Sequence, residues 1–178
     1  MNAKKILKTA AYSLICDHDI DDITVNMILE AAEISKKTFY RYYPDKYALA
    51  NEIYDDLFSV PTYDTERDPD EAWEELYIQQ FALFRAEQDF VRHLYSSKAQ
   101  GCTTDHEIEV ILKYDRERLR QMGADPDDPR IMFALEAKDV SGTYAMRKWI
   151  LGGMKESDKE MAIRFKLILP AILISYFT

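Results

Sequence analysis

The sequence predicts an all-α fold. Apolar residues recur at spacings of three and four along most of the 178 residues, which is the period of one helix face. The chain contains only five glycines and six prolines, fewer than a β-rich fold needs for its turns. Hydrophobic residues make up 47 % of the sequence, enough to bury a core in one compact body or in a small domain joined to a larger one.

The first predicted helix begins at Asn2 or Ala3, ends near Cys16 and has one apolar face. Its start carries three lysines whose charges oppose the helix dipole: Lys4, Lys5 and Lys8. Contact with a phosphate strand would explain these lysines, and ordinary solubility of the N-terminus explains them equally well. An acidic connector, residues 17–22, follows.

The next predicted helix is short and covers residues 24–32. Thr24 is a residue type that caps a helix N-terminus, and apolar residues follow it at helical spacing as far as Ala32. The period breaks at residues 33–35, where Ile34 can fill the angle between two helices. Ser35 can offer its hydroxyl to the amides of a new helix N-terminus.

A second short helix is predicted over residues 36–43. Pro44 ends it, because proline disfavours helical geometry at the residue before it, and Asp45 can cap the next helix. Two short helices joined by a tight turn form a helix-turn-helix.

The second of these helices places polar groups where a DNA-binding protein needs them. Side chains in the first turn of a recognition helix reach base edges in the major groove, while nearby hydroxyls and lysines contact phosphates. The alternative interpretation is an amphipathic helical hairpin whose lysine pair is simply solvated. The DNA-binding residues that we predict are Thr24, Ser35, Lys36, Lys37, Thr38, Tyr40, Tyr42 and Lys46.

The charge distribution favours the N-terminal segment as the face that would meet DNA. The net charge of the chain is −9, which taken alone argues against nucleic acid as a partner. Residues 1–50 carry seven basic and seven acidic side chains, so the whole of the excess negative charge lies beyond them. Because phosphate repels an acidic body, only the neutral segment is a plausible docking face.

A fourth helix, residues 45–59, is predicted to link this segment to the rest of the chain. In a ligand-controlled regulator, a small shift of such a helix changes the separation of two recognition helices. A rigid strut is the alternative. Residues 60–70 are polar, contain two prolines and are typical of a loop between domains.

A long helix, residues 71–96, is predicted next and is apolar on more than one face. Such a helix should lie centrally, against several neighbours. If the second part of the chain holds a small-molecule pocket, this aromatic-rich helix is its best candidate wall; a packed core without a cavity is the alternative. The candidate pocket residues are Trp73, Tyr77, Phe81, Phe84, Tyr95 and Tyr144.

Three more helices are predicted, over residues 104–122, 129–151 and 157–176. The last one begins with a capping-box pattern and is apolar nearly all round from Leu167 onward. This is more apolar surface than one chain's core is expected to cover. A second copy of the last two helices would bury this surface most simply, in an intermolecular four-helix bundle about a twofold axis. An entirely intramolecular core is the alternative.

Other functional classes find little support in the sequence. His93, Cys102, Asp105 and His106 lack the paired spacing of a metal site, and no nucleophile motif is present, so we expect neither an enzyme with catalytic residues nor a cofactor. Two cysteines and no signal peptide favour the cytoplasm. No apolar run reaches the roughly 20 residues of a membrane span.

The helix-turn-helix residues also resemble a known family. Thr24-Val25, Ile34-Ser35, Thr38-Phe39-Tyr40, Tyr43-Pro44 and Lys46 are similar to the DNA-binding domain of the TetR family of bacterial transcriptional regulators, over roughly the first 55 residues. The sequence departs from the pattern at Leu29 and at Glu33, where a glycine with positive φ is usual.

The resemblance implies an all-helical homodimer. Residues 1–46 would form a three-helix helix-turn-helix domain, and residues 47–178 a helical ligand-binding and dimerisation domain. The implied partners are a pseudo-palindromic double-stranded DNA operator and a small-molecule effector, with repression as the expected outcome. The alternative is a TetR-like co-regulator that binds a protein or a metabolite without strong DNA binding of its own.

Overall fold

The computed structural model describes residues 2–58, 68–99 and 102–177. All regular elements in those ranges are helical, which confirms the all-α prediction. They are α1 (Ala3–Asp17), α2 (Val25–Ala32), α3 (Lys36–Tyr42), α4 (Lys46–Leu57), α5 (Pro69–Ala86), α6 (Gln88–Tyr95), α7 (Thr103–Gln121), α8 (Pro129–Leu151), α9 (Asp158–Leu167), a 3-10 turn (Ala171–Leu173) and α10 (Ile174–Phe177). The predicted loop, residues 60–70, lies largely outside the described residues. None of the described helices is both long enough and apolar enough to cross a bilayer.

The chain forms two compact units. Unit 1 comprises Met1–Ser59 and Glu87–His106, and unit 2 comprises Val60–Ala86 and Glu107–Thr178. In unit 1, α1 packs against α2, α4 and α6. The Tyr12 ring stacks on Phe90 with centroids 5.2 Å apart, and the Tyr12 hydroxyl donates to Glu87 at 2.7 Å. The N-terminal helices therefore share a core with α6.

In unit 2, α5 packs along α9, and aromatic rings fill the space between α5, α8 and α9. Phe81 makes edge-on contacts with Trp149 and Phe165, with ring centroids 5.3 and 5.0 Å away. The predicted capping box is confirmed, since Ser157 accepts from the Glu160 amide at 3.2 Å and Glu160 accepts from the Ser157 amide at 2.8 Å.

The prediction of one continuous helix over residues 71–96 is wrong. The chain leaves helical geometry at Glu87, where φ is −103° and ψ is 30°, and this residue separates α5 from α6. The same position divides unit 2 from unit 1. Apolar periodicity continues across Glu87 because both helices are buried, so the pattern alone did not reveal the break.

The prediction of one helix over residues 157–176 is also wrong. Helix α9 ends at Leu167, and Pro170 takes an extended conformation with φ −60° and ψ 140°. Proline has no amide hydrogen for the helical ladder and restricts the residue before it, so it interrupts the helix. The chain then continues as the 3-10 turn and α10.

Candidate nucleic-acid interface

The turn between α2 and α3 is fixed by two capped helix N-termini. Thr24 accepts a hydrogen bond from the Met27 amide at 3.2 Å, and Ser35 accepts one from the Thr38 amide at 3.3 Å. Between the two helices, Glu33 has φ 52° and ψ 40°, in the left-handed region that the usual glycine adopts without strain. A glutamate there costs about 1 kcal/mol, and its exposed carboxylate adds a negative charge beside α3.

Helix α3 is held by its aromatic side and shows its polar side to solvent. Phe39 is fully buried and Tyr43, just after the helix, is 3 % exposed. Lys36 and Lys37 are exposed, and Tyr40, four residues after Lys36, is 49 % exposed. The Lys36 ammonium lies 6.0 Å from the ring centroid of Tyr40, so a predicted base-contacting side chain and a predicted phosphate-contacting tyrosine are exposed side by side.

A further cation lies next to this surface. The guanidinium of Arg41 stacks 4.8 Å from the ring centroid of Tyr42 and donates to the Tyr42 hydroxyl at 3.1 Å. Tyr42 is itself 38 % exposed. The sequence prediction did not include Arg41, although an arginine within a recognition helix is a sufficient signal to include it.

Lys46 has contacts within the chain. Its Nζ donates to the carbonyl oxygens of Asp21 and Ile23 at 2.8 and 2.7 Å. Burial lowers the pKa of Lys46, against the opposing charges of Asp21 and Asp22. Because an ammonium has three N–H groups, one remains for a phosphate while two tie α4 to the connector after α1.

Two of the three lysines of α1 form ion pairs within the chain, an explanation that the sequence analysis did not include beside phosphate contact and solubility. Lys4 forms an ion pair with Glu52 at 2.8 Å, and Lys8 pairs with Glu52 at 3.1 Å and with Asp56. These acidic residues belong to α4, so the pairs link two helices of unit 1. Phosphate is not needed to account for Lys4 and Lys8, whereas Lys5 remains exposed.

Asp21 joins the connector between α1 and α2 to both α4 and the end of α6. Its carboxylate accepts hydrogen bonds from the Tyr47 hydroxyl at 2.9 Å, the Ser97 hydroxyl at 2.7 Å and the Lys98 amide at 3.4 Å. Burial would raise the pKa of Asp21, but these hydrogen bonds outweigh it and leave the pKa below its ordinary value. The connector that leads into the helix-turn-helix is thus bonded to the residues just after α6, a connection that sequence spacing did not indicate.

The six candidate pocket residues belong partly to unit 2 and partly to unit 1. Trp73, Tyr77 and Phe81 lie along α5, and the Trp73 and Tyr77 ring centroids are 4.4 Å apart. Phe84, also on α5, is fully buried. Tyr95 belongs to unit 1, where its hydroxyl lies 3.1 Å from that of Tyr54. Tyr144 is 68 % exposed on α8, so it does not line the interior of unit 2, and its inclusion in the predicted set needs correction.

Exposed apolar residues lie along one side of α8, and two more lie four residues apart on α9; these six residues are named the apolar stripe. On α8 its members are spaced by seven, four and seven residues, which places them on one helix face. The stripe consists of Phe133, Val140, Tyr144 and Leu151 on α8, and Ile163 and Leu167 on α9, each between 40 and 79 % exposed.

The residues considered for a metal site have other contacts. His106 Nε2 lies 2.8 Å from Asp55 Oδ1, and Cys102 Sγ lies 3.1 Å from the Thr104 hydroxyl. Within residues 2–58, 68–99 and 102–177, no group of three or more His, Cys, Asp or Glu residues is arranged to hold a metal ion.

Two family models match successive parts of the chain. The model described as "Bacterial regulatory proteins, tetR family" matches residues 7–53, which include α2 and α3. The model described as "Transcriptional regulator C-terminal region" matches residues 71–170, more than half of the chain.

Individual proteins agree with these models. The uncharacterized HTH-type transcriptional regulator YxbF of Bacillus subtilis (strain 168) is 34 % identical over 56 residues, which is 32 % of this chain and only 15 % of that curated relative. The ligand-free crystal structure of RolR is similar with a TM-score of 0.63 and 16 % identity, covering 93 % of this chain and 89 % of RolR. The dihydroxyacetone kinase operon activator DhaS has a TM-score of 0.59 and 16 % identity, covering 98 % of this chain and 97 % of DhaS. At such identities the two structures show the fold alone, while the family models make the chain a member of the TetR family of bacterial transcriptional regulators, with a DNA-binding N-terminal domain.

Proposed function

We propose that the chain works as a homodimer whose two α3 helices bind the two halves of a pseudo-palindromic operator. The observation that carries this proposal is α3 itself: Phe39 is fully buried and anchors the helix, while Lys36 and Lys37 in its first turn are exposed. Two such helices would enter successive major grooves on one side of the duplex, about 34–36 Å apart or somewhat more.

The side chains of α3 and its flanks divide into two roles. Lys36, Lys37 and Thr38, which follow the Ser35 cap, lie at the N-terminal end of α3 and would read bases. Side chains farther along or beside the helix would hold the backbone, where they fix position without reading sequence. The phosphate-binding set is Thr24, Tyr40, Tyr42 and Lys46, to which the structure suggests adding Arg41.

The apolar stripe supports dimerisation through α8 and α9. Tyr144 and Leu167 are 68 and 79 % exposed, and contact with a second copy would bury them in a four-helix bundle. An isologous contact places the same stripe of each subunit against its twin. The sequence predicted dimerisation through two helices, residues 129–151 and 157–176. In the structure the second of these helices ends at Leu167 and is followed by a 3-10 turn and α10.

Sedimentation of a charge-insertion variant tests the dimer. Tyr144→Glu would bury a carboxylate against a second copy, so it should convert the dimer to a monomer at micromolar concentration. Leu83→Glu is the control, because Leu83 is an exposed apolar residue (44 %) of α5 and lies outside the stripe. A monomeric wild type, or a dimeric Tyr144→Glu variant, would refute dimerisation through the stripe.

Control by a small molecule and repression complete the proposal. The crystal structure of RolR is described as being without ligand, and this description supports a ligand in a protein of the same fold. A dimer that covers an operator excludes other proteins from it, so repression is the expected result. DhaS is described as an operon activator, so activation is the competing outcome of a reporter assay.

We further propose that residues 1–46 form the DNA-binding domain and residues 47–178 the regulatory and dimerisation domain. This boundary falls at the start of α4, directly after the Asp45 cap. A protein of this function would act in the cytoplasm, where the bacterial chromosome lies.

Two observations favour a second candidate, a co-regulator that binds a protein or metabolite rather than DNA. Glu33 places an exposed carboxylate in the turn before α3, and residues 1–50 have no excess of positive charge. Retention on heparin or on random duplex DNA at low salt separates the two candidates. The operator-binding proposal expects retention that falls when Lys36 and Lys37 are both changed to Ala, and the co-regulator proposal expects no retention of either protein.

A further inference from the structure

The outward side of α8 carries six residues at a regular spacing. The steps between them alternate between four and three residues, which is the repeat of a coiled-coil contact and keeps all six on one helix face. Four of them belong to the apolar stripe and are between 40 and 76 % exposed, one is an exposed alanine, and one is a partly exposed arginine. These six residues, named the α8 seam, are Phe133, Ala137, Val140, Tyr144, Arg147 and Leu151.

The inner side of α8 is covered within the subunit. Gly142 is buried there, and a Cβ at this position would lie 3.6 Å from the Phe165 ring of α9. Trp149 is 4 % exposed and meets Phe81 of α5 edge-on, with ring centroids 5.3 Å apart. The α8 seam is therefore the side of this helix that another molecule can reach.

The α8 seam is symmetric about residue 142. When two copies of a helix pack antiparallel about a twofold axis, each residue faces the one that lies equally far on the other side of the axis. Every member of the seam has such a counterpart within the seam. The pairs lie two, five and nine positions from residue 142 and are Val140 with Tyr144, Ala137 with Arg147, and Phe133 with Leu151.

These pairs match in size. The central pair and the outer pair join apolar side chains, which lose exposed surface when two copies meet. In the remaining pair, the long side chain of Arg147 faces Ala137 of the second copy, whose small side chain leaves it room. An antiparallel second copy thus fills the whole length of the seam.

The charges beside the seam match in the same arrangement. Glu136 is exposed and precedes Arg147 by eleven residues, close to three full turns, so both lie toward one flank of α8. In an antiparallel pair about a twofold axis, the same flank of each helix meets. Glu136 of one copy therefore lies beside Arg147 of the other, at nearly the same height along the axis.

Both groups can take part in such a pair. Glu136 has no hydrogen bond or ion pair with another residue in the described part of the chain. The guanidinium of Arg147 has five N–H donors, so contacts in its own subunit and a contact with the second copy can coexist.

A parallel pair of α8 helices would lose this match. Each seam residue would then face its own twin, so the two Arg147 guanidinium groups would share one layer of the contact. Like charges placed together disfavour association, whereas the antiparallel arrangement brings a carboxylate to each guanidinium. The charges of α8 thus favour the antiparallel direction.

We propose that α8 pairs antiparallel with α8 of a second copy, with the twofold axis at the level of residue 142 and Glu136 of each copy paired with Arg147 of the other. Symmetry makes two such ion pairs in each dimer. They would favour a second copy of this chain over a helical subunit with a different charge pattern. This inference rests on the dimer proposed above and defines which residues meet in it.

Sedimentation of charge-reversal variants tests the ion pairs. Glu136→Arg places like charges together twice in each dimer, so the dissociation constant of the dimer should rise about tenfold, and Arg147→Glu should have the same effect. The double variant exchanges the two charges and should return to within about threefold of the wild type. Glu109→Arg, which reverses an exposed charge on α7, is the matched control and should leave the constant unchanged.

Disulfide trapping tests the register independently of charge. A disulfide needs two Cβ atoms about 4 Å apart, a distance expected between position 140 of one copy and position 144 of the other. Val140→Cys and Tyr144→Cys subunits, mixed in equal amounts in a glutathione buffer, should therefore form a covalent dimer in up to about half of the chain, the share of mixed pairs. Each variant alone, and the wild type with Cys16 and Cys102, should form little.

The outcomes separate the register from the dimer itself. A monomeric wild type would refute the dimer and the register together. A dimeric wild type that gives no covalent product in the mixture, or as much product with either variant alone, would refute the antiparallel register and leave the dimer standing. Failure of the double charge reversal to restore association would refute the pairing of Glu136 with Arg147.

Discussion

The two compact units place their charged residues in opposite environments. In unit 1, Lys36 and Lys37 stand exposed on α3, and no hydrogen bond or ion pair holds Lys37 to another described residue. In unit 2, Lys138 and Asp139 are 6 and 3 % exposed and lie 2.9 Å apart. An exposed charge costs folding little and remains available to a polyanion, whereas a buried charge must be compensated within the chain or by a ligand.

The largest effect should come from removing the buried cation. Lys138→Met leaves Asp115 and Asp139 buried without their shared partner, so we expect a loss of about 3–5 kcal/mol in the free energy of unfolding. Urea denaturation measures it, with the exposed Lys155→Met as the control, which should change stability by less than about 0.5 kcal/mol. Equal stabilities of the two variants would show that the cluster is not a buried ion pair.

The pH dependence of stability tests whether Asp139 is a buried carboxyl, in contrast to the exposed charges of unit 1. Because the folded-state pKa is raised to about 7, the buried carboxyl favours folding most below its ordinary pKa of 3.8, and this contribution is lost as the pH rises through about 7. Asp139→Asn cannot titrate. Its stability relative to the wild type should therefore increase by about 2–3 kcal/mol between about pH 5 and pH 8. A constant difference across that range would contradict the raised pKa.

On the exposed side, Lys37→Ala should affect binding and leave stability unchanged. We expect a loss of about 1–3 kcal/mol on the preferred operator and relaxed base preference at one position, measured by fluorescence anisotropy on operator and random duplexes. Lys5→Ala, an exposed lysine of α1, is the matched control. Equal losses of affinity for the operator and the random duplex would show that Lys37 does not read bases.

Lys46 is partly exposed and also bonded within the chain, so replacing it should cause smaller losses of both DNA affinity and stability. Lys46→Ala should weaken all DNA sequences alike and reduce the salt slope by about one unit. It should also cost about 1 kcal/mol of stability, since the Asp21 and Ile23 carbonyls lose their donor. An unchanged salt slope with the stability loss intact would assign Lys46 a structural role only.

The smallest effect is expected for the paired lysine of α1. Lys8→Ala removes partly exposed ion pairs with Glu52 and Asp56, so stability should fall by no more than about 1 kcal/mol. DNA binding should stay within about twofold of the wild type at fixed salt. A loss of DNA affinity as large as that of Lys37→Ala would show that Lys8 of α1 contacts DNA.

Local sequence signals predicted the elements near the candidate interface well. The caps at Thr24, Ser35 and Asp45 are confirmed by hydrogen bonds from the amides three residues later, and Glu33 takes the positive φ expected of that turn. These features depend on a few adjacent residues, so a pattern of residue types is enough to find them.

Tertiary contacts were not predictable in the same way. The pairing of Lys8 with Glu52 and Asp56 joins residues more than forty positions apart, and Asp21 bonds to Ser97 across a still longer stretch. Lys138 and Asp139 stand on a helix like ordinary surface charges, and only burial reveals them as a cluster. The break at Glu87 also has no glycine or proline to mark it.

Selection of bound fragments from the source genome tests the central claim most directly. If α3 reads DNA as one of a symmetric pair, the wild type will enrich sites with twofold symmetry and half-sites about one helical turn or somewhat more apart. The Lys37→Ala variant will lose preference at equivalent positions in both halves. Enrichment of no sequence, or of sites without symmetry, would contradict operator recognition by a pair of α3 helices.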